Sequence, residues 1–331
     1  MKKRQLGGTG LPVSELCFGT MNFGWTVDCE TAFTLLDAYR SAGGAFFQAV
    51  HICAGFSFLR DTLKAPEEWT GEWLRARSVP RNEIVLSTRL TLFGTERTEC
   101  RSLADEIRGC CETSLRRLGV PYLDLLVCQW SKDLLPIDES LRIFDTLIEA
   151  GLVRHVGIAN VPLWRMMEAI ARSAVRNRRR FEALQTEYSV HSQPTAREET
   201  QDFCQSQNLG LLVTSALGSG PVHLRRRHDD SIWSVGEGAR ERVLRKSGAI
   251  PRENEPSLEQ AALAWVLSHP HVSSVVISTN SFNQLDELVH AASWDRAGEA
   301  RPATKNCATM PTFEVRPYAG NQSGICESVA T

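Results

Sequence analysis

Two spacings of apolar residues alternate along the chain. Short, mostly apolar runs such as 123–127 suit strands covered on both faces. Between them, apolar residues return at helical spacing, as Phe33, Leu35, Leu36, Ala38 and Tyr39 do. The pattern predicts strands over 15–19, 45–48, 84–89, 123–129, 155–159, 183–187, 211–215 and 274–277. It predicts helices over 31–42, most of 58–77, 102–118, 140–150, 162 to about 172, 195–207, 257–268 and 282–292. Glycines at 43–44, 119 and 151 mark helix ends. Ahead of the first strand, 5–14 reads as a small hairpin with Gly turns.

Eight strand–helix units in about 290 residues favour a closed (β/α)8 TIM barrel preceded by a β-hairpin. An open doubly wound sheet is the alternative, but no G-x-G-x-x-G follows an early strand. Residues 219–256, with Arg225, Arg226 and Arg227, read as a long loop after the seventh strand. Residues 294–331 read as a tail without a clear period.

Composition narrows the function classes. The chain has 331 residues, 42% hydrophobic and 23% charged, enough for a large core. A net charge of −2 supplies no basic field for nucleic acid and no bias toward an anionic membrane. No apolar run is long enough to cross a bilayer. The ten cysteines are scattered without a C-x-x-C pair, which points away from a metal site and toward a reducing, cytoplasmic setting.

Several stretches resemble segments of the aldo-keto reductase superfamily. They are 6–14 (Leu-Gly-Gly-Thr-Gly-Leu-Pro-Val-Ser), 19–24, 114–119, 153–157 and 261–267, in the family's order. The resemblance spans roughly 5–293 and implies one barrel domain over 1–331. It also implies NADPH-dependent carbonyl reduction. A Tyr would donate the proton, a Lys paired to an Asp would lower its pKa, and a His would orient the carbonyl. At those positions this chain carries Cys53 for Tyr, Arg89 for Lys, Gln48 for Asp and Gln129 for His. Gln48 offers no charge, Arg89 no tuned ammonium and Gln129 no titrating proton. Asn160 and Gln185 match the family's nicotinamide contacts, as vestiges. Thr214 stands for the stacking aromatic, Ser278 for a phosphate-side Gly and Leu288 for an adenine-contacting Asn. No nicotinamide cofactor is therefore expected to bind tightly.

Other residues still offer chemistry. Arg89 without an Asp could meet a substrate carboxylate, enolate or phosphate, or pair with Glu187 or water. His51 and Cys53, two apart, would share a face if extended and could form a Cys–His pair, against a plain buried Cys and surface His. Trp130, Asn160, Glu187, Tyr188 and His191 complete a candidate substrate pocket. The expectation is a repurposed barrel that runs cyclisation, dehydration or isomerisation on a carbonyl-bearing small molecule. A non-catalytic binding subunit and an atypical NADPH-dependent oxidoreductase are the alternatives. A small-molecule substrate is the expected partner, and a homo-oligomer is compatible with this reading.

Overall fold

The computed structural model describes residues 1–51, 66–91, 103–129, 136–189, 194–216 and 258–293. A two-stranded antiparallel hairpin, β1 (Lys3–Gln5) and β2 (Pro12–Ser14), closes through a 3-10 turn at Gly7–Thr9. Eight parallel strands then close a barrel. They are β3 (Leu16–Gly19), β4 (Phe46–His51), β5 (Val85–Thr91), β6 (Leu123–Gln129), β7 (Val153–Ala159), β8 (Ala183–Glu187), β9 (Gly210–Thr214) and β10 (Val272–Ile277). Strand β10 pairs with both β9 and β3, so the ring has no open edge. The (β/α)8 barrel expected from the sequence is the observed fold.

The described helices are α1 (Cys29–Ser41), α2 (Pro66–Ala76), α3 (Leu103–Leu118), α4 (Ile137–Glu149), α5 (Leu163–Val175), α6 (Pro194–Ser206), α7 (Leu258–Leu267) and α8 (Phe282–Ser293). Several elements are longer than the sequence pattern gave, two of them for plain local reasons. Strand β4 runs on to His51 because it stays paired to β5 as far as Leu90. Helix α4 starts three residues early, after Pro136, whose fixed φ suits a helix entry. The expected helical stretch 58–65, the loop 219–256 and the tail 294–331 lie outside the described residues.

Strand alternation divides the core in two. Cys17, Phe46, Val85, Leu125, Val127, Ala159, Ala183 and Leu212 pack inside the barrel, with Leu6 and Val13 of the hairpin beneath them. The opposite faces pack against the helices in a larger cluster. Arg4 ties the hairpin to the barrel floor by donating to the carbonyls of Leu267, His269 and Val272.

Helix α2 meets α3 at Gly71. A Cβ there would lie 2.3 Å from the Arg117 carbonyl oxygen and 2.8 Å from backbone atoms of Leu118. Gly71→Ala should therefore destabilise the protein by about 2 kcal/mol, overpacking outweighing the gain in helix propensity. Urea unfolding checks this, and a stabilised variant would contradict it.

Candidate active site

Alternation along each strand sets what faces the barrel interior. Gln48 sits one register step above Phe46, and Gln185 one above Ala183. They come from strands on opposite sides of the ring, and both are buried. Their amides bond reciprocally: Gln48 Nε2 donates to Gln185 Oε1 at 3.1 Å, and Gln185 Nε2 donates to Gln48 Oε1 at 2.9 Å. This neutral ring satisfies both amides where an unmade hydrogen bond would be costly. Beside it, the buried Ser87 hydroxyl has no partner among the described residues.

The next layer toward the C-terminal strand ends holds Arg89 and Gln129. Arg89 Nη2 donates to Gln129 Oε1 at 2.5 Å. Arg89 Nε is buried and has no hydrogen-bond partner among the described residues. Burial pulls the guanidinium's pKa below its usual value, and the charge of the exposed Glu187 partly offsets this. The cation is thus held at the mouth with part of its donor fork unused.

Asn160 follows β7 with φ at +56°, a left-handed conformation that Asn tolerates better than most residues. Its backbone N–H donates to the Gln185 carbonyl. Thr214 ends β9 beside Glu187. At the β3–β10 seam, Ser278 Oγ donates to the Gly19 carbonyl. Asn280 Oδ1 accepts from Asn22 Nδ2 and Thr26 Oγ1. In the same region Thr20 Oγ1, Asn22 Oδ1 and Thr279 Oγ1 are buried without partners among the described residues. They could answer the polar groups of a ligand at that seam.

The structure therefore gathers Gln48, Arg89, Gln129, Asn160, Gln185 and Glu187 at or below one mouth. Two other candidates turn away from it. His51 is the last residue of β4, three positions after the inward Gln48, and its ring faces α2 and α3. Tyr188 follows the inward-facing strand end at Glu187 and is buried in the helix layer. It stacks on Trp265 at 5.9 Å and accepts a hydrogen bond from Gln201. Cys53, Trp130 and His191 lie outside the described residues.

Sequence reasoning missed the partners of His51. They are Ser114 on α3 and Glu67 on α2, and Cys110 of α3 also raises the pKa of the ring. One signal was available: Ser114 interrupts the buried stripe Leu103, Ile107, Cys111, Leu118 of α3.

Among the described residues no helix is long and apolar enough to cross a membrane, and no metal-ligating cluster occurs. The family model described as the aldo/keto reductase family matches residues 15–296. An uncharacterized oxidoreductase of Bacillus subtilis is 28% identical over 303 residues, covering 88% of this chain and 91% of that protein. Norsolorinic acid reductase A of Aspergillus parasiticus is 30% identical over 298 residues, 85% of this chain and 74% of that one. A protein of Oryza sativa subsp. japonica named as a probable voltage-gated potassium channel subunit beta is 28% identical over 88% of this chain. With its closed barrel and a family match over most of its length, the chain belongs to the aldo/keto reductase family.

Proposed function

We propose that this single barrel domain binds a carbonyl-bearing small molecule at its mouth and converts it without hydride transfer, by cyclisation, dehydration or isomerisation. The observation that carries this reading is the Arg89 guanidinium, held by Gln129 near the strand ends with its Nε unpartnered among the described residues. A carbonyl oxygen that gains negative charge would complete the fork. Donors already aimed at developing charge are among the strongest catalytic devices. Glu187, exposed at the end of β8, is the nearby carboxylate able to accept a proton.

The nicotinamide end of the family's cofactor does not fit these residues well. Gln185, which would hold the carboxamide, is already occupied by Gln48 on both of its polar atoms. Thr214 gives no aromatic face, and 278–281 holds no Arg or Lys for a 2′-phosphate. The unpartnered hydroxyls of Thr20 and Thr279 suit a polar ligand at the β3–β10 seam, and no chemical step is routed through a cofactor there. Calorimetric titration with NADPH should show no binding tighter than millimolar. Micromolar affinity would overturn this part of the reading.

Carbonyl reduction is the second reading, favoured by the family match and by relatives named as reductases. One experiment separates the two. A panel of aldehydes and ketones is incubated with the protein, with and without NADPH. Mass spectrometry then asks whether products are isomers or dehydrated, or have gained hydrogen. Cofactor-dependent reduction would replace the first reading with the second. Specific co-purification with a partner protein, with no turnover in either arm, would instead favour a binding subunit.

A further inference from the structure

Outside the barrel, between its wall and two helices, lies a second cluster of reactive side chains that the mouth does not use. His51, 6% exposed, projects from the end of β4 toward α3. Its Nδ1 lies 2.8 Å from Ser114 Oγ and 3.4 Å from Glu67 Oε2. The Cys110 side chain also acts on this ring, raising its pKa. Cys110 and Ser114 are one helical turn apart on α3, so one imidazole can reach both.

Glu67 is fully buried in the first turn of α2, where the helix dipole favours a negative charge. Thr88 Oγ1 of β5 donates to its Oε1 at 3.1 Å, and Arg117 Nη1 of α3 donates to its Oε2 at 3.1 Å. The carboxylate is therefore held stationary behind the imidazole. The arrangement runs thiol, imidazole, carboxylate, the order in which an activated cysteine is built.

We infer that Cys110, His51 and Glu67 form a reactive-thiol site in the outer wall of the barrel, open to small uncharged electrophiles of the α,β-unsaturated carbonyl class. Cys110 is partly exposed, while Cys111 and Cys128 beside it are buried. Burial pushes both of those thiols up to about 12, so they stay protonated and unreactive. Reaction is an addition. In the thiolate–imidazolium pair the Cys110 proton already rests on His51, and the sulfur forms a bond to the β-carbon. The C=C π pair shifts to give an enolate, and the proton is returned to the α-carbon. One S–C bond forms, one π bond is lost, and no oxidant or reductant is consumed. Low charge in the electrophile is favoured because Glu67 places a fixed anion behind the ring and the surrounding wall is the main apolar cluster.

The groups that set the pH response come from every packed element. They are Glu67 of α2, Cys110, Cys111 and Arg117 of α3, and Cys128 of β6. Burial by itself would lower the His51 pKa, but the hydrogen bonds and charges of Cys110 and Glu67 outweigh it and raise it to about 9. The imidazole is thus a cation at neutral pH, and a thiolate beside it is stabilised.

The test uses the full chain and N-ethylmaleimide, with N-acetylcysteine in the same tube as an ordinary thiol. Site-resolved mass spectrometry follows each cysteine from pH 6 to 8. At pH 6 Cys110 is expected to be labelled roughly tenfold faster than the standard, since its thiolate persists where an ordinary thiol is protonated. Parallel pH profiles for Cys110 and the standard would overturn the inference. A His51→Gln variant should slow Cys110 about tenfold while the rate at the exposed Cys29 is unchanged. An unchanged Cys110 rate in that variant would overturn it too. If the variant does not fold, the wild-type pH profile decides alone.

Discussion

An Arg89→Met variant is expected to lose about 10²–10³-fold in turnover of whichever carbonyl compound the substrate panel identifies, the usual effect of deleting one preorganised donor to an oxyanion. Its stability should be unchanged or slightly raised. The side chain it replaces is a partly desolvated cation whose Nε has no partner among the described residues, and burying such a charge costs more than its hydrogen bond to Gln129 returns. Methionine keeps the length and fills the space. The combination of intact fold and lost activity separates a role in chemistry from a role in packing. Arg89→Lys adds a second discrimination. Lysine restores the charge without the planar fork, so an intermediate rate points to bidentate recognition, and a fully restored rate points to charge alone. Turnover in Arg89→Met equal to that of the wild type would remove Arg89 from the reaction.

The barrel was legible because each strand buries both faces and each helix buries a stripe, so the two periods survive in the sequence. The mouth was legible in part. Gln48, Arg89 and Gln129 lie on strands whose alternation is fixed by neighbours such as Phe46, Val85 and Val127, all packed inside the barrel. The pairing of Gln48 with Gln185 left no local trace, because it joins residues 137 apart across the ring. His51 shows how much one boundary matters. With the strand ending at Gln48, His51 belonged to a loop and could be drawn beside Cys53. With β4 continuing to His51, the two-residue alternation turns its ring outward, away from Gln48 and toward Cys110. The same parity carries Tyr188 away from the mouth and onto Trp265. In both cases the residue type suggested chemistry at the strand ends, and backbone geometry decided which side of the wall received it.

The stability of the protein should fall by about 2 kcal/mol between pH 6.5 and 8.5 because of His51 alone. Its folded pKa of about 9 lies above the value near 6.5 of an unfolded histidine. A raised basic group contributes stability that is complete below the unfolded value and is lost as pH rises through the folded one. Over this interval the unfolded chain has shed the proton while the folded protein still holds most of it. The buried thiols Cys17, Cys111, Cys128 and Cys204, all raised by burial, add a fall in the same direction near pH 8.5, where unfolded thiols ionise, so the His51 share is read from the difference between wild type and a Glu67 variant. Glu67→Ala should flatten the slope and also cost about 3–5 kcal/mol at neutral pH, because it strips the counter-charge from His51 and Arg117 and the acceptor from Thr88. Urea unfolding at four pH values checks both effects. The ion-pair account of this wall requires a falling wild-type profile and a flatter one in the variant. Parallel profiles would show that His51 is neutral in the folded protein.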